Sequence, residues 1–377
     1  MRTKNKRLIS LACVLLTVLM LLAGCAQQAG QTDGVIKLVL LCDDSMGFGA
    51  QSYERGVWMA VDEYTGPNTV SLDIYESGDT FEDALKLNNE KAADPSVTAI
   101  LSIQDYDVVD AAAKAMEENG KTFFALHGYL EDTVKRGYET FFPFSLNAEH
   151  LGYAMGLYAA QSGAKRIGCI HSDTSFEQQE ATAFERALLR SEEGRTVSSL
   201  SEPFTSQEFY SEMEAWKALG IDTAYVPYYE PEWAADVLAV IKEELPDITL
   251  LSCFRIEDRE VIERLGEANG IIMPAYYPVD RSGEYEEWAE RFYERYGAEP
   301  DNEAVQGYDA AKLILAAYTG DNTSLARNIR ENAPNAGGIG GNIVYDLLNG
   351  LPDPEDEAGP YDYEYLMMKD GVFTVVQ

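Results

Sequence analysis

The chain has 377 residues, 46% of them hydrophobic, with 64 acidic against 29 basic side chains and a formal net charge of −35. That length exceeds what one hydrophobic core usually fills, so two lobes are expected. The negative field repels nucleic acid and anionic lipid headgroups, which excludes a nucleic-acid-binding role.

Arg2, Lys4, Lys6 and Arg7 give the chain a positive start, and Leu8 to Leu22 is then apolar apart from Ser10 and Thr17. A spanning helix needs roughly 20 apolar residues, so this run fits a processed export segment better. It ends in Leu22-Ala23-Gly24-Cys25, which resembles the bacterial lipobox. The resemblance implies that residues 1–24 are a lipoprotein signal peptide and that Cys25 receives a lipid. The remainder would then work outside the cytoplasm, anchored to the cell membrane, where most ATP- and NAD-dependent chemistry is excluded. Residues 25–33 are small and polar and read as a lipidated tether.

Beyond the tether, strands and helices alternate. Val35–Leu41 is apolar except for Lys37, as expected for a strand buried on both faces. Val57, Ala60, Val61 and Tyr64 recur at helical spacing, followed by a strand over Val70–Tyr75. Phe81, Leu85 and Ala92 mark one face of the next helix. A strand over Val97–Ser102, a helix carrying Val108, Ala112, Ala115 and Met116, and a strand over Lys121–Leu126 complete a βαβαβαβ series. That order predicts a parallel sheet with helices on both faces.

The pattern then restarts. Leu151, Ala154, Met155, Tyr158 and Ala159 form a helical stripe, and strands are expected over Arg166–His171, Val197–Phe204, Thr223–Tyr229 and Ile248–Phe254. Helices between them carry Phe184, Ala187 and Leu188, then Phe209, Met213 and Trp216, then Ala234, Val237, Leu238 and Ile241; Val261, Ile262 and Leu265 mark a short one. The last third holds a strand over Gly270–Tyr277, an aromatic helix with Tyr285, Trp288, Phe292 and Tyr296, and an apolar helix over Val305–Ala317. A glycine-rich stretch at Asn335–Gly341 and an acidic loop at Pro352–Pro360 precede two closing strands, Tyr363–Lys369 and Val372–Val376.

The remaining cysteines, Cys42, Cys169 and Cys253, are few, odd in number and far apart, so they read as buried small hydrophobes rather than a disulfide framework. His127, His150 and His171 lack metal-ligand spacing, and neither a metal nor a cofactor is expected. No G-x-S-x-G elbow, phosphate loop or strand-linked G-x-G-x-x-G is present, so nothing supports an enzyme.

Several stretches resemble the type I periplasmic binding proteins, extracytoplasmic receptors for branched-chain amino acids and related ligands. They are Ile36–Leu41 with Gly47-Phe48-Gly49-Ala50; Arg55-Gly56 with Ala60-Val61-Asp62-Glu63; Phe292-Tyr293, Tyr296-Gly297 and Pro300 with Gly307-Tyr308-Asp309-Ala310; and Lys369-Asp370-Gly371-Val372-Phe373. The resemblance runs from about residue 34 to the end. It departs at Asp43-Asp44-Ser45-Met46, beside the cleft, where the family usually shows proline, Thr or Ser, and Gly.

The resemblance implies an α/β fold of two Rossmann-like lobes with parallel sheets, joined by three crossover strands near Phe144–Ser145, Ala275–Pro278 and Asn342–Tyr345. Residues 34–144 and 276–342 would form the first lobe, and 145–275 and 343–377 the second. It also implies a solute-binding lipoprotein that closes on a small polar ligand, an amino acid or a similar compound, for an ABC importer. The partners are then the ligand, the permease and the membrane, with the protein itself a monomer. A sensor presenting the same fold to a membrane receptor is the alternative, and a cell-envelope hydrolase a more distant one.

Open α/β sheets bind ligands at the carboxyl ends of their strands. That rule selects Ser45, Phe48, Ser102, Gln104, Tyr106, His127, Gly128 and Tyr129 in the first lobe, and Phe176, Tyr228 and Tyr229 in the second. In the family's amino-acid binders the loops after strands three and four receive the ligand carboxylate. Asp105 is unhelpful there unless it, or Asp107, caps the following helix. An acid after the second lobe's fourth strand holds the ligand ammonium; here that place carries both Arg255, suited to an acidic group, and Glu257, suited to an ammonium.

Overall fold

The computed structural model describes residues 34–42, 51–78, 80–191, 195–201, 204–228, 231–257, 262, 264–265, 270–281, 283–335, 337–351, 353–355 and 362–376. The signal segment, Cys25, Ser45, Phe48 and Tyr229 lie outside them.

The first sheet is wholly parallel, in the order β2 (Thr69–Glu76), β1 (Val35–Cys42), β3 (Ala99–Ile103), β4 (Thr122–Ala125) and β5 (Phe141–Pro143). The apolar run of β1, broken only by Lys37, is explained by its two faces. Ile36, Leu38 and Leu40 join one core cluster, and Val39 and Leu41 join another on the opposite side. The second sheet runs β12 (Val372–Val375), β11 (Tyr365–Lys369), β10 (Ile272–Pro274), β9 (Thr249–Ser252), β8 (Thr223–Val226), β6 (Arg166–His171) and β7 (Arg195–Ser201). It is parallel from β7 to β10, and the closing β11–β12 hairpin adds antiparallel.

The helices are α1 (Gln51–Asp62), α2 (Phe81–Ala93), α3 (Tyr106–Glu118), α4 (Glu131–Lys135), α5 (Ala148–Gln161), α6 (Ser175–Ser191), α7 (Ser206–Leu219), α8 (Pro231–Glu244), α9 (Glu284–Tyr296), α10 (Asn302–Ala317), α11 (Asn322–Asn332) and α12 (Asn342–Asn349); of these, α4, α11 and α12 are not expected from the sequence pattern. In each lobe one helix pair is drawn tight by glycine. A Cβ on Gly56 of α1 would collide with the Ala304 carbonyl of α10, and one on Gly307 would sit 2.6 Å from the Tyr53 carbonyl. Gly152 and Gly156 play the same part where α5 crosses α6, against Glu180 and Phe184. Helices α9 and α10 come late in the chain but pack on the first lobe: the Tyr296 hydroxyl donates to the Arg55 carbonyl, and Trp288 lies against Tyr308.

Two expectations are corrected. The buried face of α2 is Ala84, Asn88 and Ala92, whereas Phe81 is exposed and Leu85 only half-buried. Asn342–Tyr345 is not a crossing strand but the start of α12, which lies against β5 and buries Ile343, Val344 and Leu347. The chain crosses between the sheets at three places that lie side by side. Leu146 N donates to the Tyr276 carbonyl, and Ala275 N donates to the Glu364 carbonyl, each near 2.9 Å (2.8 and 2.9 Å). Arg281 fastens this region by donating to the carboxylate of Glu364 and, at 2.5 Å, to Oδ1 of Asn302, whose amide returns a bond to Glu364 at 2.8 Å.

Asp309 of α10 clamps the glycine-rich stretch beside the crossings. Its buried carboxylate accepts from Ile339 N at 2.7 Å, Gly340 N at 2.8 Å and the Tyr277 hydroxyl at 2.9 Å. A Cβ on Gly338 would strike that carboxylate, so the clamp requires glycine there. Burial pushes the Asp309 carboxyl up to about 6, although all three bonds pull the other way.

Cys42, Cys169 and Cys253 are buried thiols with no disulfide among the described residues, and burial raises the Cys169 thiol. Among the described residues no helix is long and apolar enough to cross a membrane, and no cluster of His, Cys, Asp or Glu could hold a metal ion.

Candidate functional site

The strand order reverses between β1 and β3 in the first sheet and between β6 and β8 in the second, the switch points at which open sheets leave a crevice. Two ring contacts show these crevices facing each other. Tyr106, at the start of α3, stacks on Phe176, at the start of α6, with centroids 5.6 Å apart and planes within 16°. His127, just after β4, lies edge-on to Phe254, just after β9, at 5.2 Å, and to Tyr276 of the second crossing at 5.8 Å. The Tyr276 hydroxyl in turn bonds that of Tyr53 on α1.

Both helix starts at this junction are capped by the chain's own groups. Asp105 caps α3, its Oδ1 accepting from Asp107 N at 2.9 Å, which decides the choice between Asp105 and Asp107. At α6, Thr174 Oγ1 accepts from Glu177 N at 3.4 Å, and the Glu177 carboxylate, 3% exposed, takes the Ser172 N–H at 2.7 Å. Burial, with the Asp105 and Asp107 carboxylates beside it, pushes the Tyr106 hydroxyl up to about 12, against a hydrogen bond to Thr174 that lowers it. The α3 N-terminus therefore offers a ligand carboxylate little, since Asp105 already occupies it.

Other residues selected from the sequence are turned inward. Gln104 is fully buried: its Oε1 accepts from Asn88 at 2.9 Å and from Ser102 Oγ at 3.0 Å, and its Nε2 donates to Ser77 Oγ at 2.5 Å. Gln104 and Ser102 thus spend their side chains bracing the end of β3. Tyr129 is buried in the first lobe against Phe141, and its hydroxyl donates to the Ser145 carbonyl at 3.1 Å. Tyr228 is buried flat on Trp233 at 4.0 Å, and the Cys253 thiol donates to its carbonyl. Gly128 backs Tyr106, with room for a Cβ only in contact with that ring's stem. Arg255 and Glu257 share a single 3-10 turn, Phe254–Glu257, and their side chains lie outside the described part.

Thr174 lies in the Ser172–Phe176 loop that the strand-end rule marks, whereas Glu177, Phe254 and Tyr276 belong to the junction although the sequence did not select them. Phe254 and Tyr276 stand at the ends of expected strands, so the strand-end rule would have found them had the second sheet's boundaries been drawn shorter. Glu177 carried no signal among so many acids.

The sequence matches the periplasmic binding protein family over residues 36–333. The chain belongs to that family. Among solved structures, this periplasmic binding protein is similar to an ABC transporter substrate-binding protein from Desulfitobacterium hafniense in complex with Leu. The two are 18% identical with a TM-score of 0.73, covering 91% of this chain and 99% of that one. A branched-chain amino acid transporter substrate-binding protein from Streptococcus pneumoniae, in complex with isoleucine, matches at 16% identity and a TM-score of 0.72 with the same coverage. A solute-binding protein of an ABC transporter from R. palustris, in complex with benzoate, matches at 17% and 0.66, covering 91% and 96%. At these identities the likeness establishes the fold, two α/β lobes on three crossings. No curated protein matches the chain.

Proposed function

We propose that this periplasmic binding protein is an extracytoplasmic lipoprotein, held to the membrane through Cys25, that captures a small polar solute between its lobes and passes it to an ABC importer. The solute class is an amino acid or a related compound, as in the similar structures holding Leu and isoleucine; a third similar structure holds benzoate, an aromatic carboxylate. The observation that carries the reading is the meeting of Tyr106 and Phe176 across the junction of two sheets, at the carboxyl ends where such folds bind. A solute touching both lobes favours the closed arrangement by its differential contacts, and no covalent step is needed.

A thermal-shift screen tests it. The protein is unfolded and refolded to strip carried-over ligand, then heated with amino acids, small amides, nucleosides, sugars and aromatic acids. A solute at a hundred times its dissociation constant stabilises by about 2.7 kcal/mol, a shift of about 2 °C or more. The reading stands if one chemical class gives that shift and falls if none does. The anchor is tested separately: Cys25→Ala is expected to move the protein from the membrane to the soluble fraction.

A further inference from the structure

Gln306 lies within α10, fully buried, and its Nε2 donates to two backbone carbonyls at once. One belongs to Leu126, the residue before His127; the other belongs to Phe144, which opens the first crossing; both bonds are 2.5 Å. The same two segments are joined three times more. Phe144 N donates to the Ala125 carbonyl at 2.9 Å. Ser145 Oγ donates to the His127 carbonyl at 3.4 Å, and the Tyr129 hydroxyl donates to the Ser145 carbonyl at 3.1 Å. One residue further on, Leu146 N reaches the Tyr276 carbonyl of the second crossing.

This arrangement has a cost. With both donors spent on the carbonyls, the Gln306 Oε1 is buried without a hydrogen-bond partner among the described residues. A buried acceptor left unpaired is destabilising, and such exceptions in a packed interior call for a reason. An apolar side chain of the same length would avoid the orphan oxygen but leave the strand-end carbonyls without their donor. What the amide supplies is a rigid link between the loop after β4 and the hinge.

We propose that Gln306 is a positioning residue for solute capture, fixing the His127–Gly128 loop to the first crossing so that contact with a solute at the loop is transmitted to lobe closure. The inference rests on the reading of the chain as a solute receptor. With the link intact, loop and crossing move as one piece, and the binding-competent closed form is more populated. Without it the apparent affinity falls by the lost fraction of that form.

The test replaces Gln306 by methionine, which keeps length and volume but has no donor. The solute found in the thermal-shift screen is the probe. Affinity is measured by calorimetry, release by stopped flow, and compaction by the ligand-driven fall in radius of gyration in solution scattering, all well below the melting temperature. The expected result for Gln306→Met is an affinity loss on the order of tenfold, carried by faster release, with a smaller compaction. Tyr129→Phe removes one parallel bond without opening a cavity and is expected to move the same readouts in the same direction by less; it decides the matter if Gln306→Met does not fold. Variants that melt lower yet bind and compact like the wild type would make Gln306 a purely structural residue and overturn the proposal. A wild-type protein that responds to no solute removes the receptor reading and this inference together.

Discussion

Tyr106 and Phe176 stand at the starts of helices that follow strands of different sheets, 70 positions apart, yet their rings lie nearly parallel with centroids 5.6 Å apart. Each begins a helix that follows a switch-point strand, so the contact joins the two lobes where a solute would enter. An aromatic pair of this kind contributes roughly 0.5–1.5 kcal/mol beyond area burial. Phe176→Ala is therefore expected to weaken solute binding about three- to tenfold, mainly through faster release. Because Phe176 is 5% exposed and packed in the core, the variant is also expected to lose stability, by about 3–5 kcal/mol, so binding is read well below its melting temperature. Calorimetry and stopped-flow release on the same preparation check this.

Asp105 occupies the α3 N-terminus, the place where a ligand carboxylate would otherwise be received. Asp105→Asn keeps an oxygen for the cap while removing the charge. The variant is expected to gain affinity for solutes bearing a carboxylate, by about 2- to 10-fold, relative to the corresponding amides. A pair such as leucine and leucinamide, titrated against both proteins, reads the effect directly.

Asp309 gives a pH dependence of definite sign. Its carboxyl stands at about 6 in the folded protein against an ordinary 3.8, because burial penalises the charged form. The folded state therefore holds this proton more tightly than the unfolded state. Its stabilising contribution is full below about pH 4 and is lost as pH rises through about 6, a change of roughly 3 kcal/mol in the unfolding free energy. Other carboxylates are shifted down, Glu63 and Glu117 among them, so the quantity to measure is the difference between wild type and Asp309→Asn. Urea unfolding at pH 4.5 and pH 7 is expected to show the wild type losing stability relative to the variant as pH rises.

Gly156 tests the close crossing of α5 and α6. A Cβ there would lie 2.5 Å from the Phe184 carbonyl and 2.6 Å from the Ala187 side chain, neither of which can yield easily. Gly156→Ala is expected to cost about 1–3 kcal/mol, while Gly337→Ala, where a Cβ meets nothing within 4 Å, is expected to cost little. Thermal unfolding of the two variants side by side separates a steric effect from a general one.

The repeated strand–helix order made the parallel parts of the two sheets legible, because β1, β3 and β4 are buried on both faces and so read as mainly apolar runs. Short elements were less so: β5 has three residues and α4 five, too few to show a period. In α12, Ile343 and Val344 read as β-branched strand formers, but Leu347 completes a helical face that β5 and the preceding turn cover. Tyr106, His127 and Phe176, selected by the strand-end rule, make ring contacts between the ends of the two sheets. That rule could not tell that Gln104 turns inward, since that is decided by Ser77 and Asn88 from other elements. Gln306 was invisible for the same reason: a single amide in an apolar helix acquires its role only when β4 and β5 end beside it.

The central claim is that a solute closes the lobes on one another. Spin labels at Lys114→Cys on α3 and Leu189→Cys on α6 would report the separation of the lobes, since both positions are well exposed and Cys42, Cys169 and Cys253 are buried. Pulsed electron resonance on the ligand-stripped protein, with and without the solute from the screen, measures that distance. The account predicts a distribution that becomes shorter and narrower when the solute binds. A solute that binds tightly and leaves the distribution unchanged would contradict it.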